Sequence, residues 1–384
     1  MRIAYLFDRP LPATETDSEQ ALQTLCALAR RGHTMLLCVP RGTGRAAHAD
    51  AAALRAYYQV DGDFELHVLD NALAFWSSGR KWLHAARALE LARSLAPDLI
   101  YTRNFPTLAL APRQSLPYAY ETYRPWFSQF PPLRPAFAHA LRHPRCLGAV
   151  LHSSYARDHY ARLDLPPERL LVAHNGYDPG RFAGAPDKLA LREQLGLPKH
   201  ATIATYSGHV NATKGLDVVL AAAARLPHVQ FLFVGSSGHG LVERLARSHA
   251  NVMLVPWQPF DRTVHYLLAS DILIQPPSRV PLTVVGNTVL PMKLFLYLAA
   301  ARPILAPDTP DVRELLRHEH NALLVRPGDA AGTADALARL AQDSALAARL
   351  AANAGATARG LTWDARAEKI ERFLLERMQH VRAS

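Results

Sequence analysis

The sequence predicts an α/β protein made of two doubly wound domains in tandem, and three observations carry that expectation. The chain has 384 residues, more than a single core ordinarily organises. Short apolar, β-branched runs alternate with helical stretches along its whole length, which implies parallel strands covered by helices on both faces. Turn formers gather near the middle, in His174-Asn-Gly-Tyr-Asp-Pro-Gly-Arg-Phe182 and again at Pro198-Lys-His200, where one core can end and the next begin.

The elements follow in order. Arg2-Ile-Ala-Tyr-Leu-Phe7 reads as a strand, Ser18 to Arg31 as a helix stopped by Gly32, and Thr34-Met-Leu-Leu-Cys-Val39 as the next strand, together one βαβ unit. Lys81 to Leu95 is helical, and Asp98–Tyr101, Leu116–Tyr120 and Gly148–His152 are strands. Beyond residue 200, strands recur at Ile203–Tyr206, Gln230–Val234, Val252–Val255, Ile272–Ile274, Pro303–Ala306 and Ala322–Val325, and Trp363 to Met378 reads as an amphipathic helix. Two sheets hinged near residues 174–200 would face each other across a cleft, the expected place for a ligand.

Composition excludes several classes. No apolar run reaches membrane-spanning length, and the first residues read as a strand rather than a leader, so a soluble cytoplasmic protein is expected. Cys26, Cys38 and Cys146 are too scattered for a metal site and suit buried thiols in a reducing compartment. The net charge of +10 points to an anionic partner. It is spread over both halves without a nucleic-acid-binding motif, so nucleic acid is not the expected partner. Asp61-Gly-Asp63 reads as a bend, and His318-Glu-His320 lacks zinc-helix spacing. Hydrolase, NTPase and dehydrogenase signatures are missing from the contexts they need.

The richest segment is Tyr206-Ser-Gly-His-Val-Asn-Ala-Thr-Lys-Gly215, between a strand and the helix Leu216 to Arg225. A glycine turn opening a helix frees backbone N–H groups toward an anion, and Lys214 adds a full charge. Ser207, Gly208 and Lys214 are therefore expected to seat a phosphate. Gly286-Asn-Thr-Val-Leu-Pro-Met-Lys293 feeds a second helix, Met292 to Ala300, whose Pro291 leaves the amides of Met292 and Lys293 available to an oxyanion. Thr102-Arg103-Asn104, which follows a strand, is a candidate anion contact.

The ordered set Arg31-Gly-His33, Val172-Ala-His-Asn-Gly-Tyr-Asp178, Ser207-Gly-His209 with Lys214-Gly215, Phe233-Val-Gly235, Ser270-Asp-Ile-Leu-Ile274, Pro291-Met-Lys-Leu-Phe295, Asp311-Val-Arg-Glu-Leu315, Asn321 to Asp329 and Thr362-Trp-Asp364 resembles the family 4 glycosyltransferases of GT-B architecture. The match is dense in the second half and loose in the first. The resemblance implies two Rossmann-like domains facing each other across a cleft: an acceptor-binding domain at 1–180, a linker at 181–200, a nucleotide-sugar domain at 201–362, and a last helix, 363–384, crossing back to the first domain.

The implied activity is that of a retaining, metal-independent hexosyltransferase. It would carry sugar from a UDP- or GDP-linked donor to a glycan or lipid-linked acceptor in cell-surface polysaccharide or glycoconjugate synthesis, with no cofactor. The alternatives are a catalytically impaired nucleotide-sugar-binding protein and a GT-B nucleotide-sugar epimerase. Lys214 becomes the cation on the leaving diphosphate. Donor contacts extend to His209, Gly235, Trp257, Asn287, Thr288, Met292, Lys293 and Glu314, and Asp271 joins Trp257 near the base. In the first domain Glu121 and Tyr123 are expected beside the reacting sugar, and Glu15, Asp17, Arg103, Asn104 and Arg124 near the acceptor. Asp17 or Ser18 alternatively caps the first helix. This chain departs from the family pattern with His209 for arginine and with Thr288 and Leu296 for two glutamates. Leu296 cannot accept a hydrogen bond from ribose. Phe75-Trp76 to Trp82 and Trp126-Phe127, near basic residues, add peripheral association with an anionic membrane as a lesser expectation.

Overall fold

The computed structural model describes residues 1–42, 50–70, 77–278 and 290–383. The chain divides into two units, Met1–Asn175 together with Trp363–Ser384, and Gly176–Thr362.

The first unit holds β1 (Arg2–Leu6), β2 (Thr34–Pro40), β3 (Glu65–Leu69), β4 (Leu99–Thr102), β5 (Tyr118–Thr122), β6 (Cys146–Leu151) and β7 (Leu170–Val172). They pair in parallel in the order β3-β2-β1-β4-β5-β6-β7. The second holds β8 (Thr202–Ser207), β9 (Val229–Ser236), β10 (Val252–Pro256), β11 (Ile272–Ile274), β12 (Ile304–Pro307) and β13 (Leu323–Val325), again parallel, in the order β10-β9-β8-β11-β12-β13. The central strands are apolar on both faces because helices cover both. In β8, for example, Ala204 and Tyr206 join one core cluster and Ile203 another. In each sheet the strand order reverses once, at β1/β4 and at β8/β11, and a doubly wound sheet opens a crevice at the carboxyl ends of the strands there.

The residues expected as a linker, 181–200, lie within the second unit. Asp187 caps the helix Lys188–Gln194, and Leu191 and Leu197 pack with Ile203, Leu232 and Val255. Asp271, expected near the base, precedes β11 and so lies at the amino end of the sheet. It binds Lys188 Nζ at 2.9 Å, an Arg192 guanidinium nitrogen at 2.6 Å and the Ile203 N–H at 2.8 Å. It is a clamp between the helix Lys188–Gln194 and the sheet, and that role replaces the expected one.

The last helix, Trp363–Ala383, belongs to the first unit and reaches the end of β5 through one buried side chain. The Arg366 guanidinium donates to Glu121 Oε1 at 2.8 Å and to the carbonyls of Ala173 and His174. His152 Nε2–H donates to the same carboxylate oxygen at 2.7 Å, Tyr101 donates to Oε2 at 2.8 Å, and Arg103 Nε lies 3.7 Å away. Burial alone would raise the Glu121 pKa, but Arg103, Arg366 and His152 outweigh it and hold the carboxyl well below the usual range. Glu121 is fully buried with both oxygens engaged, so the expected contact with a reacting sugar gives way to an internal ion cluster.

That cluster sets two outcomes. Arg366→Met leaves a buried carboxylate short of its main cation and lowers the stability of the first unit by about 3 kcal/mol, measured by urea unfolding of the full chain; an unshifted midpoint would assign the cluster no weight. His152 is pulled down to about 3, chiefly by burial and then by Arg366. The unfolded chain therefore binds more protons than the folded one between its ordinary value and that value, and stability falls as pH drops through this window. His152→Asn flattens the acid limb of a stability-against-pH series.

Candidate active site

The seat forms where β8 ends, next to the switch to β11. The Gly208 N–H donates to Val234 O at 2.9 Å, and its backbone turns out at φ +129°. A side chain there would stand 3.1 Å from Lys293 Nζ and from the Tyr206 hydroxyl. Gly235, at the end of β9, is equally constrained, since an added Cβ would lie 2.5 Å from Gly208 O. Two glycines thus let the strand ends meet backbone to backbone.

Tyrosines brace this turn. The Tyr206 hydroxyl donates to His209 O at 2.8 Å. The Tyr297 hydroxyl accepts from the Ser207 N–H at 2.9 Å and donates to Ile274 O at 3.3 Å, tying β8 and β11 to the helix Lys293–Ala299. Asn211 accepts from the Thr213 N–H at 3.0 Å and shapes the turn Ala212–Lys214. Gly215 follows at φ +71°, where any side chain would overlap Ser278. The helix Leu216–Arg225 then starts without a side-chain cap, which leaves its first N–H groups to another acceptor.

Two lysines converge on this turn. Lys293 Nζ lies 3.9 Å from the centroid of the Tyr206 ring, a cation–π distance. Burial lowers the Lys214 pKa; burial, and then the nearby Lys214 charge, hold Lys293 well below the usual lysine range. Among the described residues neither lysine pairs with a carboxylate. The protein has therefore gathered positive charge and backbone donors without supplying the anion, the arrangement of a phosphate site.

The other donor-side residues are distributed unevenly. His209 is exposed on the turn. Trp257, just past β10, is 53% exposed rather than core, and its backbone N–H donates to Ser236 O at 3.2 Å. Ser236 directly follows Gly235, and its hydroxyl donates to the buried Glu243 at 3.3 Å, so the exposed indole hangs from the strand end that backs the seat. Glu314 lies in the turn Val312–Glu314 after β12, partly buried. Met292 precedes the helix, which begins at Lys293, and Leu296 packs against the apolar cluster around Leu294 and Phe295. Asn287 and Thr288 lie outside the described residues.

In the first unit, Arg103 is committed internally, donating to Asp17 O at 3.0 Å and to Gln20 Oε1 at 2.7 Å. Asn104 caps the helix Phe105–Leu110 by accepting from the Thr107 N–H at 2.8 Å. Both are placed as structural contacts rather than open acceptor contacts. Arg9 pairs with Glu15 at 2.6 Å and with Asp17 at 3.0 Å, and the Asp17 side chain does not cap the first helix, Thr16–Arg30. Tyr123 and Arg124 remain partly exposed, with the Arg124 guanidinium 5.2 Å from the centroid of the Tyr123 ring and 5.3 Å from that of Trp126. Sequence reasoning missed Tyr206, Tyr297, His152 and Arg366. The first and third end apolar strand runs and were legible there as positions, but nothing local marks Tyr297 or Arg366.

Among the described residues no group of three His, Cys, Asp or Glu side chains is placed to hold a metal, and no helix is long and apolar enough to cross a membrane. A profile of the Glycosyltransferase Family 4 domain matches residues 19–181, and one of Glycosyl transferases group 1 matches residues 201–343. The chain is 28% identical over 215 residues to a D-inositol 3-phosphate glycosyltransferase of Streptomyces scabiei, covering 52% of this chain and 46% of that protein. It spans about half the length of the curated relatives it matches. Its fold is similar to that of Anabaena HepE solved with UDP, with a TM-score of 0.76, 18% identity, and coverage of 98% of this chain and 100% of that one. It is also similar to sucrose-phosphate synthase of Thermosynechococcus elongatus, with a TM-score of 0.77, 17% identity and full coverage of both. With one profile on each unit and a glycine-lined cationic turn in the second, the chain belongs to the group 1, family 4 glycosyltransferases.

Proposed function

We propose that this protein is a retaining, metal-independent hexosyltransferase that uses a nucleotide diphosphate sugar, UDP- or GDP-linked, and delivers the sugar to a glycan or lipid-linked acceptor in cell-surface polysaccharide or glycoconjugate synthesis. The observation that carries this reading is the pair Lys214 and Lys293 beside the Gly208 turn, with no carboxylate partner among the described residues. As the bond from the sugar to the donor diphosphate breaks, negative charge grows on the leaving phosphate. Fixed ammonium groups and N–H dipoles at that place lower the barrier without reorganising during the step. Ser207 and Gly208 bring the backbone close, His209 stands on the same turn, and the exposed Trp257 offers an aromatic face to the base. The reading keeps Glu314 on the donor side, together with Asn287 and Thr288, which lie outside the described residues. On the acceptor side the reading keeps the solvent-accessible Glu15, Tyr123 and Arg124, with Asp17, and releases Glu121, Arg103 and Asn104 to structural work.

A second reading, a nucleotide-sugar-binding protein with impaired chemistry, is favoured by Leu296, which packs partly buried against the apolar cluster where the resemblance gives a glutamate. Peripheral association with an anionic membrane at the inner face of the cell membrane remains part of the proposal. It rests on Trp82 and Phe130, 41% and 55% exposed, whereas Phe127 is buried and Phe75 and Trp76 lie outside the described residues.

Incubation with a panel of UDP- and GDP-sugars and candidate acceptors, in the presence of a chelator, separates the readings. Anomer-retaining product supports the transferase; binding without turnover under every acceptor supports the impaired binder; altered sugar without acceptor supports an epimerase. Lys214→Ala lowers kcat/KM by about 100-fold or more with the fold intact, and unchanged kinetics would remove Lys214 from the site. Trp257→Ala weakens nucleotide binding by about tenfold to a hundredfold if a base stacks on it, and an unaltered Kd by calorimetry would place the base elsewhere.

A further inference from the structure

Among the arginines that follow strands of the first unit, Arg124 stands apart. Arg9 faces Glu15 and Asp17, Arg41 faces Asp70, and Arg103 faces Glu121. Arg124, just past β5, has neither a carboxylate nor a hydrogen-bond acceptor for its guanidinium among the described residues, and its Nε is buried without a partner. Its backbone, in contrast, is fully engaged. The Arg124 N–H donates to Thr122 Oγ1 at 3.2 Å, and the Arg124 carbonyl accepts from the Thr122 hydroxyl at 3.1 Å, the Tyr160 hydroxyl at 3.2 Å and the Trp126 N–H at 3.0 Å. The guanidinium lies over two rings, 5.2 Å from the centroid of Tyr123 and 5.3 Å from that of Trp126. Ring faces attract its charge but supply no lone pair to its N–H donors. The turn therefore holds a cation in place with its hydrogen-bonding capacity unused, so a ligand meets it already ordered. A carboxylate or a phosphate fits such a group, because either brings a negative charge and paired oxygens that match the guanidinium fork. A sugar hydroxyl brings only a single oxygen and no charge.

We propose that Arg124, held by Tyr123 and Trp126, binds an acidic group carried by the acceptor, so that the acceptor is an anionic molecule rather than a neutral glycan. The inference rests on the acceptor-side reading above and names the substrate class for it. Two sources of the acidic group agree with that reading: the phosphate of a lipid-linked acceptor and the carboxylate of an acidic glycan. Both present the same chemistry to Arg124, an oxyanion beside a sugar ring. The neighbouring arginines do not compete for it, because Arg9, Arg41 and Arg103 already have carboxylates of the protein against them.

The test uses three probes with one sugar ring in common, glucose 1-phosphate, glucuronate and methyl α-glucoside. Each is titrated into the full chain labelled with 5-fluorotryptophan, and the fluorine resonance of Trp126, assigned by its loss in Trp126→Phe, reports on this turn. One or both anionic probes are expected to shift that resonance, with affinity about tenfold or more above that of methyl α-glucoside and falling as salt is added. Tighter binding of glucose 1-phosphate selects the phosphate of a lipid-linked acceptor, and tighter binding of glucuronate selects an acidic glycan. Arg124→Gln removes the anionic preference at an unchanged unfolding midpoint, whereas Arg124→Lys retains the part that charge alone provides. An equal response to the three probes, or no response to any up to about 20 mM, overturns the proposal in the wild-type protein without need of a variant. An anionic preference that survives Arg124→Gln overturns it as well. Calorimetry with UDP-glucose and GDP-mannose separates this outcome from the donor reading. If neither binds the wild-type protein, the donor site fails while the Trp126 titrations still decide the role of Arg124. If Arg124→Gln loses their binding instead, the anion belongs to the donor diphosphate and the acceptor assignment is overturned.

Discussion

The second unit is organised around two lysines, Lys214 and Lys293, that pair with no carboxylate among the described residues. Holding Lys293 against Tyr206 and near Lys214 requires the backbone itself to form the floor of the site, because a side chain at 208 would strike the amine and one at 235 would strike Gly208. The tyrosines follow from the same constraint. With glycine at the turn, the conformation is fixed from outside, by the Tyr206 hydroxyl on His209 O and the Tyr297 hydroxyl on Ser207. A strand end that would otherwise be the most flexible part of the sheet becomes a braced surface.

The first unit uses similar residue types to the opposite end. Arg103, Arg366 and His152 also converge at the carboxyl ends of parallel strands, but Glu121 stands among them and takes a hydrogen bond or ion pair from each. A buried carboxylate with this many donors has nothing left for a substrate, and two arginines so engaged are poor anion ligands. The ends of the two sheets differ in whether the protein supplies its own anion. Where it does, the cations join the last helix to β5; where no described residue does, the proposed donor would supply the anion. Position at a strand end was therefore a weaker guide to function than charge balance, and charge balance depends on long-range partners such as Arg366, which lies 245 residues from Glu121.

That distinction explains what could be read from the sequence. The fold was legible because the central strands are continuous apolar runs, and of the thirteen strands among the described residues the sequence missed β3 and β7, both at sheet edges. Glu65-Leu-His-Val-Leu69 mixes charge into a half-buried strand, and Leu170-Leu-Val172 is too short to show a period. The glycine turn before Leu216–Arg225 was legible because a glycine, a lysine and a helix start lie within one local segment. Glu121 was misplaced because its neighbours in sequence, Tyr120 and Thr122, say nothing about His152 or Arg366. Asp271 was misplaced for a simpler reason: it precedes its strand, and only residues that follow a parallel strand reach the crevice.

Leu296 links these points. The resemblance gives a glutamate at this position, three residues after Lys293 on the same short helix, a spacing at which side chains are neighbours on the helix surface. A carboxylate there would offer an oxygen to ribose and would also give Lys293 a counter-charge. With leucine the side chain turns to the apolar cluster around Leu294 and Phe295, and both roles are lost together. On the proposed reading, the missing ribose acceptor and a lysine without a carboxylate partner among the described residues are then one change seen from two sides. On the proposed donor reading, the ribose would lose a fixed partner while the diphosphate would meet a cation with no competing anion among the described residues, which would shift donor recognition from the ribose hydroxyls to the phosphates.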